Sequence, residues 1–120
     1  MIRRNLQEEA RGYVASVLNL YLQLPETPLK ASSNDGQTAA ALHARGVPLF
    51  AVESALMLAS VRRLGRSPDM PPLSPIRSLA YFLPVIQELL DNPIPEDYLR
   101  YLRMKVHSLS SRNGITAKCG

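Results

Sequence analysis

Apolar residues recur at steps of three and four through the first part of the chain. They are Leu6, Ala10, Tyr13, Val17, Leu20 and Leu24. This spacing predicts an amphipathic helix, and further apolar residues at positions 14, 18 and 21 widen its apolar seam on one side. A seam of that width is typical of a helix that faces a core, whereas a two-stranded coiled coil keeps it narrow. The prolines of the motif LPETP end this first helix.

Two further helices are predicted on either side of a glycine. A cluster of helix-capping side chains precedes the second helix: Ser32, Ser33, Asn34 and Asp35. Such side chains accept hydrogen bonds from the free amides of a helix start. The second helix is expected to end at Gly46, because glycine readily adopts the left-handed conformation found there. Pro48 then suits the first turn of a third helix, which the apolar spacing extends to about Leu64.

The second half of the chain is divided by prolines. The segment GRSPDMPPLSP carries four of the ten prolines and predicts an extended connection. A fourth helix is expected to start near Ser74 or Pro75 and to be kinked or broken at Pro84, because an internal proline removes a backbone hydrogen bond. Pro95 opens a fifth helix. Its buried stripe is expected to comprise Tyr98 or Leu99, Leu102, Val106 and Leu109.

No segment shows the alternation with a period of two that marks a half-buried strand. The chain has 120 residues, of which 46% are hydrophobic and 20% charged, enough for one core but not for two independent ones. The sequence therefore predicts an all-α fold, a compact bundle of about five helices. This single domain is expected over residues 1–110, with a flexible tail over residues 111–120.

The single cysteine and the absence of a long apolar run indicate a compartment. Cys119 is the only cysteine, so an intramolecular disulfide and a cysteine metal site are both excluded. No window approaches twenty apolar residues, and the N-terminus lacks the apolar stretch of a secretion signal. We therefore expect a cytoplasmic protein that does not enter a membrane.

Catalytic and metal-binding constellations are missing from the sequence. The two histidines, His43 and His107, have no second ligand at metal-binding spacing, and there is no nucleophile elbow or glycine-rich phosphate loop. We expect no catalytic residues, no metal and no cofactor. An enzyme acting on a small molecule stays open as a third class, for which Arg77, Ser78 and Tyr81 form the only polar cluster worth inspection.

The stretch RGVPLFAVESALMLASVRRLGR resembles the turn and second helix of a helix-turn-helix motif. The start of that helix carries Leu49, Phe50 and Ala51, which cannot bond base edges, so we do not expect sequence-specific readout. Its basic end is a better candidate for phosphate contact, although a solvated, dipole-stabilising helix end explains it as well. The candidate nucleic-acid-binding residues are Arg62, Arg63, Arg66, Arg77, Arg100, Arg103 and Lys105. Tyr101 lies off the buried stripe and is a candidate for base stacking.

Two motifs carry a resemblance to known proteins. RGVPLFAV and IRSLAYFLP, within residues 32–104, resemble the pattern RG(I/V)PLxxV followed by (I/K)(R/N)SLxYxxP of uncharacterised bacterial helical proteins encoded near mobile elements. More distantly, the order of the helices is similar to that of DnaD-like replication-initiation domains, which bind DNA and help to load a helicase. The resemblance implies an accessory protein of DNA transactions and assigns no catalytic residue.

Two hypotheses of function follow. The first is a non-enzymatic accessory protein of DNA replication or mobile-element maintenance that binds nucleic acid through phosphate contacts. The formal net charge of +4 is compatible with it, and its binding would fall steeply with salt. The alternative is a helical interaction module that pairs with a protein partner or a second copy through the seam of the first helix, without binding nucleic acid.

Overall fold

Five α-helices and one short 3₁₀ turn make up residues 6–112, the part of the chain that this computed structural model describes, and that part contains no strand. The helices are α1 (Leu6–Leu22), α2 (Ser33–Ala44), α3 (Leu49–Leu64), α4 (Leu83–Asp91) and α5 (Glu96–Arg112), and the 3₁₀ turn Leu79–Phe82 precedes α4. The predicted all-α bundle of five helices is confirmed. None of these helices is long and apolar enough to cross a membrane.

The start of α2 follows from its capping residues. The Ser32 hydroxyl accepts a hydrogen bond from the Asp35 amide at 3.1 Å, and Asp35 Oδ2 accepts one from the Ser32 amide at 3.0 Å. This reciprocal pair satisfies two amides that the helix itself leaves free. The other oxygen of the buried Asp35 accepts a hydrogen bond from the Leu79 amide at 2.9 Å. One carboxylate therefore caps α2 and ties it to the 3₁₀ turn.

The α2–α3 turn depends on Gly46, whose φ of 74° confirms the predicted left-handed conformation. The Gly46 amide donates to the His43 carbonyl at 2.9 Å, and the Val47 amide donates to the Leu42 carbonyl at 3.1 Å. These two bonds form a Schellman motif. Pro48 is the N-cap residue of α3, one position before the predicted first turn.

The main core lies between α1, α2, α3 and α4. Its largest fully buried side chains include Tyr21, Leu42, Leu56, Phe82 and Ile86. The seam of α1 faces this core and packs against α2 and α3. No large apolar side chain in the described residues of α1, 7–22, is exposed.

The predicted start of the fourth helix near Ser74 or Pro75 is wrong. Residues 71–78 are not helical, and the backbone at Ser78 is still extended, with φ −152° and ψ 156°. Prolines before position 78 have no amide hydrogen to donate and hold the chain extended. The helix begins only at Leu83, after the 3₁₀ turn, so Pro84 lies in the first turn of α4, where a missing amide hydrogen costs no helical bond.

Helix α5 packs along α3 through a narrow stripe of buried side chains: Leu99, Leu102, Val106 and Leu109. This stripe matches the prediction, with Leu99 rather than Tyr98 as its first member. Ser111 and Arg112, which the sequence placed in the tail, belong to the helix. The rest of the predicted tail, residues 113–120, lies outside the described residues.

Candidate nucleic-acid interface

Arg62, at the basic end of α3, forms an ion pair with Glu88 of α4. Arg62 Nη1 and Nη2 donate to the two carboxylate oxygens of Glu88 at 2.9 and 2.6 Å. This hydrogen bonding raises the pKa of Arg62 and lowers that of Glu88. Both side chains are about half exposed, at 52% and 43%, so water screens the pair. The charge of Arg62 is thus matched by a carboxylate at the surface.

Arg63 lies inside the molecule, and its expected place on a solvated basic surface is wrong. Its side chain is 5% exposed and donates to Glu26 Oε1 from Nε at 3.0 Å and from Nη2 at 2.8 Å. It also donates to the Ser74 carbonyl and, at 3.4 Å, to the Tyr81 hydroxyl. The guanidinium carbon lies 5.7 Å from the centre of the Tyr81 ring. Arg63 therefore joins the connection after α3 to the loop after α1.

Glu26 supports this joint through its backbone as well. It has a φ of 67°, a left-handed conformation that costs a non-glycine residue about 1 kcal/mol. In that conformation its carbonyl accepts a hydrogen bond from the Ile76 amide at 3.0 Å while its carboxylate binds Arg63. The loop after α1 is thus held to Ile76, just after the proline-rich connection, by the Glu26 carbonyl and to α3 by the Glu26 carboxylate.

Two of the predicted cations, Arg66 and Arg77, form no ion pair with a carboxylate in the described residues. Arg66 donates from Nη2 to the Pro71 carbonyl at 3.1 Å. Arg77 is exposed and has no hydrogen bond or ion pair within residues 6–112. Both belong to the proline-rich connection and its border with α3.

The predicted cations of α5 also differ from one another. Arg103 donates from Nε and Nη2 to the two oxygens of Glu53 on α3, at 2.8 and 2.9 Å, and this bond raises the pKa of Arg103. Arg100 pairs with Asp97 on its own helix, where both side chains are more than two-thirds exposed. Lys105 has no carboxylate partner in the described part of the chain.

The charge balance of the folded part is close to neutral. Residues 6–112 contain eleven lysines and arginines against all ten carboxylates, an excess of one. Arg3, Arg4 and Lys118, which account for the rest of the formal +4, lie outside the described residues. Non-specific attraction of a polyanion by the whole described surface is therefore weak, and any binding depends on local arrangement.

The most prominent local arrangement is an aromatic pair on the outer face of α5. The Tyr98 and Tyr101 rings are stacked, with centroids 5.7 Å apart and an interplanar angle of 21°. They are 41% and 50% exposed, and Met104 beside them is 72% exposed. From Tyr98 to the end of the chain the sequence has no aspartate or glutamate. Sequence reasoning selected Tyr101 but missed Tyr98, although their spacing of three places both on one helix face.

Two of the open pockets that lie away from the tyrosine pair bear on other functions. One, of about 580 Å³, is lined by Glu8, Glu9, Gly12, Tyr13, Ser16, His43 and Leu49. Tyr13 is engaged there, because its hydroxyl donates to the Val47 carbonyl at 2.8 Å and its ring meets that of His43 edge-on at 5.1 Å. The other, of about 260 Å³, contains Tyr81 but neither Arg77 nor Ser78, so the polar cluster inspected for an enzyme does not line one pocket.

Metal ligands and relatives give no further indication of function. Among residues 6–112, no three histidine, cysteine, aspartate or glutamate side chains come together as a metal site. Comparisons of the chain with known protein families, with curated proteins and with solved structures found no match. Function is therefore inferred from the arrangement of the side chains described above.

Proposed function

We propose that this protein is a non-enzymatic accessory protein of DNA transactions, and that it binds single-stranded nucleic acid along the outer face of α5. The observation that carries the proposal is the exposed Tyr98–Tyr101 stack, after which the sequence has no further aspartate or glutamate. The resemblance of the motifs to mobile-element-associated and DnaD-like proteins supports the same class.

The tyrosine pair supplies the stacking surface. An aromatic ring on the protein surface stacks on a base whatever its identity, and each such contact contributes about 1–3 kcal/mol of binding free energy. The bases of a duplex are already stacked on each other, so exposed rings select single strands. The two rings are already parallel within 21°, so little ordering is needed on binding.

Cations of α5 supply the phosphate contacts, and Lys105, four residues after Tyr101, lies on the same helix face as that ring. Lys105 has no carboxylate partner among residues 6–112, and the Arg100–Asp97 pair is exposed enough that water screens it strongly. The Arg100 guanidinium can therefore turn to a phosphate at little cost. Arg66 and Arg77, without carboxylate partners, can bind phosphates outside this face. Arg62, Arg63 and Arg103 are held by carboxylates and contribute less.

The test is fluorescence anisotropy of a labelled oligothymidine and a labelled duplex of equal length across a salt series. Replacing both Tyr98 and Tyr101 with alanine is expected to weaken binding of the single strand by at least about thirtyfold, from the loss of two stacking contacts of at least about 1 kcal/mol each. Lys105→Gln is expected to reduce the slope of log affinity against log salt by about 0.7, one phosphate contact to a single strand.

Arg45→Gln is the matched control for Lys105→Gln. Arg45 is exposed and lies far along the chain from α5, and its side chain donates only to Gln87 in the described structure. The Arg45→Gln substitution removes the same charge as Lys105→Gln and should leave the slope of log affinity against log salt unchanged. Tighter binding of the duplex than of the single strand, or an equal effect of both charge variants, would contradict the proposal. A defined oligomer that the tyrosine variant dissociates, without nucleic-acid binding, would instead show that this face contacts a second copy.

A further inference from the structure

The second pocket, of about 260 Å³, lies where the end of α3 meets the 3₁₀ turn and α4. Its lining includes Arg62, Arg63, Arg66, Leu73, Tyr81 and Val85. Three arginine residues thus border one small concave space. The spacing of these arginines in the sequence predicts a basic cluster at the end of α3. Their common position in the lining of one pocket depends on the packing of α3 against the 3₁₀ turn and α4.

The charge of this pocket is not balanced. Glu88 binds Arg62 and Glu26 binds Arg63, whereas Arg66 binds only the Pro71 carbonyl. Three positive charges therefore face two carboxylates, and the excess of one lies at Arg66. An ion of charge −1 would neutralise the group.

The pocket also has more hydrogen-bond donors than acceptors, just as it has more positive than negative charge. Arg66 has five N–H donors and uses one of them on Pro71. The Tyr81 oxygen accepts from Arg63, so its own O–H is left to donate, and within residues 6–112 it has no acceptor. Both carboxylates near the pocket are already engaged by arginines. The unused polar groups, the remaining N–H groups of Arg66 and the Tyr81 O–H, are hydrogen-bond donors. They suit a ligand group that only accepts hydrogen bonds, such as a carboxylate.

The remaining walls are apolar. Leu73 is 41% exposed, and Val85 and Ala59 complete the lining. A ligand that fills the pocket therefore buries an apolar group beside its anionic one. The volume is below the usual 300–1,000 Å³ of drug-sized sites, which restricts the ligand to a small molecule or a single side chain.

From these observations we propose that the pocket binds the carboxylate of a small monoanionic ligand that carries an apolar group. Arg66 and the Tyr81 hydroxyl bind the carboxylate, and Leu73 and Val85 contact the apolar group. The site shares no residue with the α5 face. Oligothymidine binding by α5 can fail without affecting it.

The experiment is an NMR chemical-shift titration of the full chain with benzoate, and in parallel with benzamide, acetate and inorganic phosphate. Benzoate is expected to shift the amide signals of Arg66, Leu73 and Tyr81 saturably at millimolar concentrations. Benzamide, which has the same shape without the charge, is expected to shift none of them. Acetate is expected to bind more weakly than benzoate because it has no ring to place against Leu73.

Two variants separate the roles of charge and apolar wall. Arg66→Gln is expected to weaken benzoate binding about tenfold, the effect of one charged hydrogen bond, with an unchanged melting temperature. Leu73→Ser is expected to abolish the preference for benzoate over acetate while acetate still binds. Arg77→Gln is the control, because Arg77 carries the same charge but does not line the pocket.

Three results would overturn the proposal. Tighter binding of phosphate than of benzoate would show that the site takes a phosphate rather than a carboxylate. An equal loss with Arg77→Gln would show that only the overall charge attracts benzoate. The absence of any saturable shift at millimolar benzoate would show that the pocket is not a ligand site.

Discussion

The basic end of α3 and helix α5 each contribute three of the predicted nucleic-acid-binding residues, yet the two regions differ in what those residues do. At the end of α3, Glu26 and Glu88 bind two of the three arginines, and one of these, Arg63, is buried. On α5, Arg103 binds Glu53 of another helix. Arg100 pairs with the exposed Asp97 of its own helix, and Lys105 has no carboxylate partner among the described residues. The two regions thus have similar formal charge, but the arginines at the end of α3 connect parts of the fold, whereas α5 has cations that solvent can reach.

The two regions also differ in how they are attached. Residues around Arg63 hold two loops and α3 together through buried polar contacts, whereas α5 is attached to α3 mainly by one apolar stripe. A change in the first region should therefore disturb the whole body, and a change in the second should release a single helix. The predictions that follow test this difference.

The largest effect is expected for Leu102→Ala, which removes a fully buried side chain from the α5 stripe. Deleting such a side chain costs about 4 kcal/mol in lost burial and cavity formation. Urea denaturation should show a loss of this size. Hydrogen exchange should show that amides of α5 lose protection before those of α1 and α2, and simultaneous loss in all helices would contradict the proposed independence of α5.

Arg63→Ala is expected to reduce the free energy of unfolding by about 3 kcal/mol, the lower end of the range for breaking a buried ion pair, because Glu26 is one-third exposed. The variant leaves the Glu26 carboxylate and the Ser74 carbonyl without their main donor. Urea denaturation measures the loss. Arg62→Ala is the matched control, and an equal loss in the two variants would contradict the structural role assigned to Arg63.

An intermediate effect is expected for the Arg103–Glu53 ion pair between α5 and α3. Breaking the Arg103–Glu53 pair by Arg103→Ala should cost about 1 kcal/mol, since Arg103 is half exposed and Glu53 is largely covered. A double-mutant cycle with Glu53→Gln isolates the pairwise interaction. Strictly additive effects of the two substitutions would show that the pair does not help to attach α5.

The smallest effect is expected for Arg62 and depends on pH. Arg62 lowers the pKa of Glu88 from its usual 4.5, so the ionised Glu88 favours the folded state. The contribution of Glu88 to the free energy of unfolding is present above about pH 4.5 and is lost as the pH falls through its lowered pKa. Arg62→Ala should flatten this acid limb slightly in a series of denaturation curves. A steeper acid limb in the variant would reverse the assigned sign.

Much of the fold could be predicted from local patterns. The apolar spacing placed α1, α3 and α5 close to their observed bounds, and the capping residues around Ser32 and the glycine at position 46 marked the ends of α2. These signals are local because a cap or a left-handed residue acts within one turn of chain. The start of the fourth helix was missed, since the extended chain up to Ser78 and the 3₁₀ turn shift it to Leu83.

The candidate surfaces could be predicted only in part. The arginines of α3 and the exposure of Tyr101 followed from spacing, but the pairing of Tyr98 with it did not, because Tyr98 is next to the buried Leu99 and either could have started the stripe. The burial of Arg63 gave no local signal. Its partners Glu26 and Ser74 are 37 and 11 residues away, on segments whose position depends on packing.

The sequence by itself determined the helices, their caps and the face that each buries, because hydrogen bonds and apolar contacts one turn apart decide these features. Tertiary structure alone decided which cations are available. Glu26, Glu53 and Glu88 reach their arginines across 37, 50 and 26 residues of chain, and an ion pair forms only when packing brings the groups within a few ångströms. The fold therefore sets the accessible charge, and the sequence sets only the formal charge.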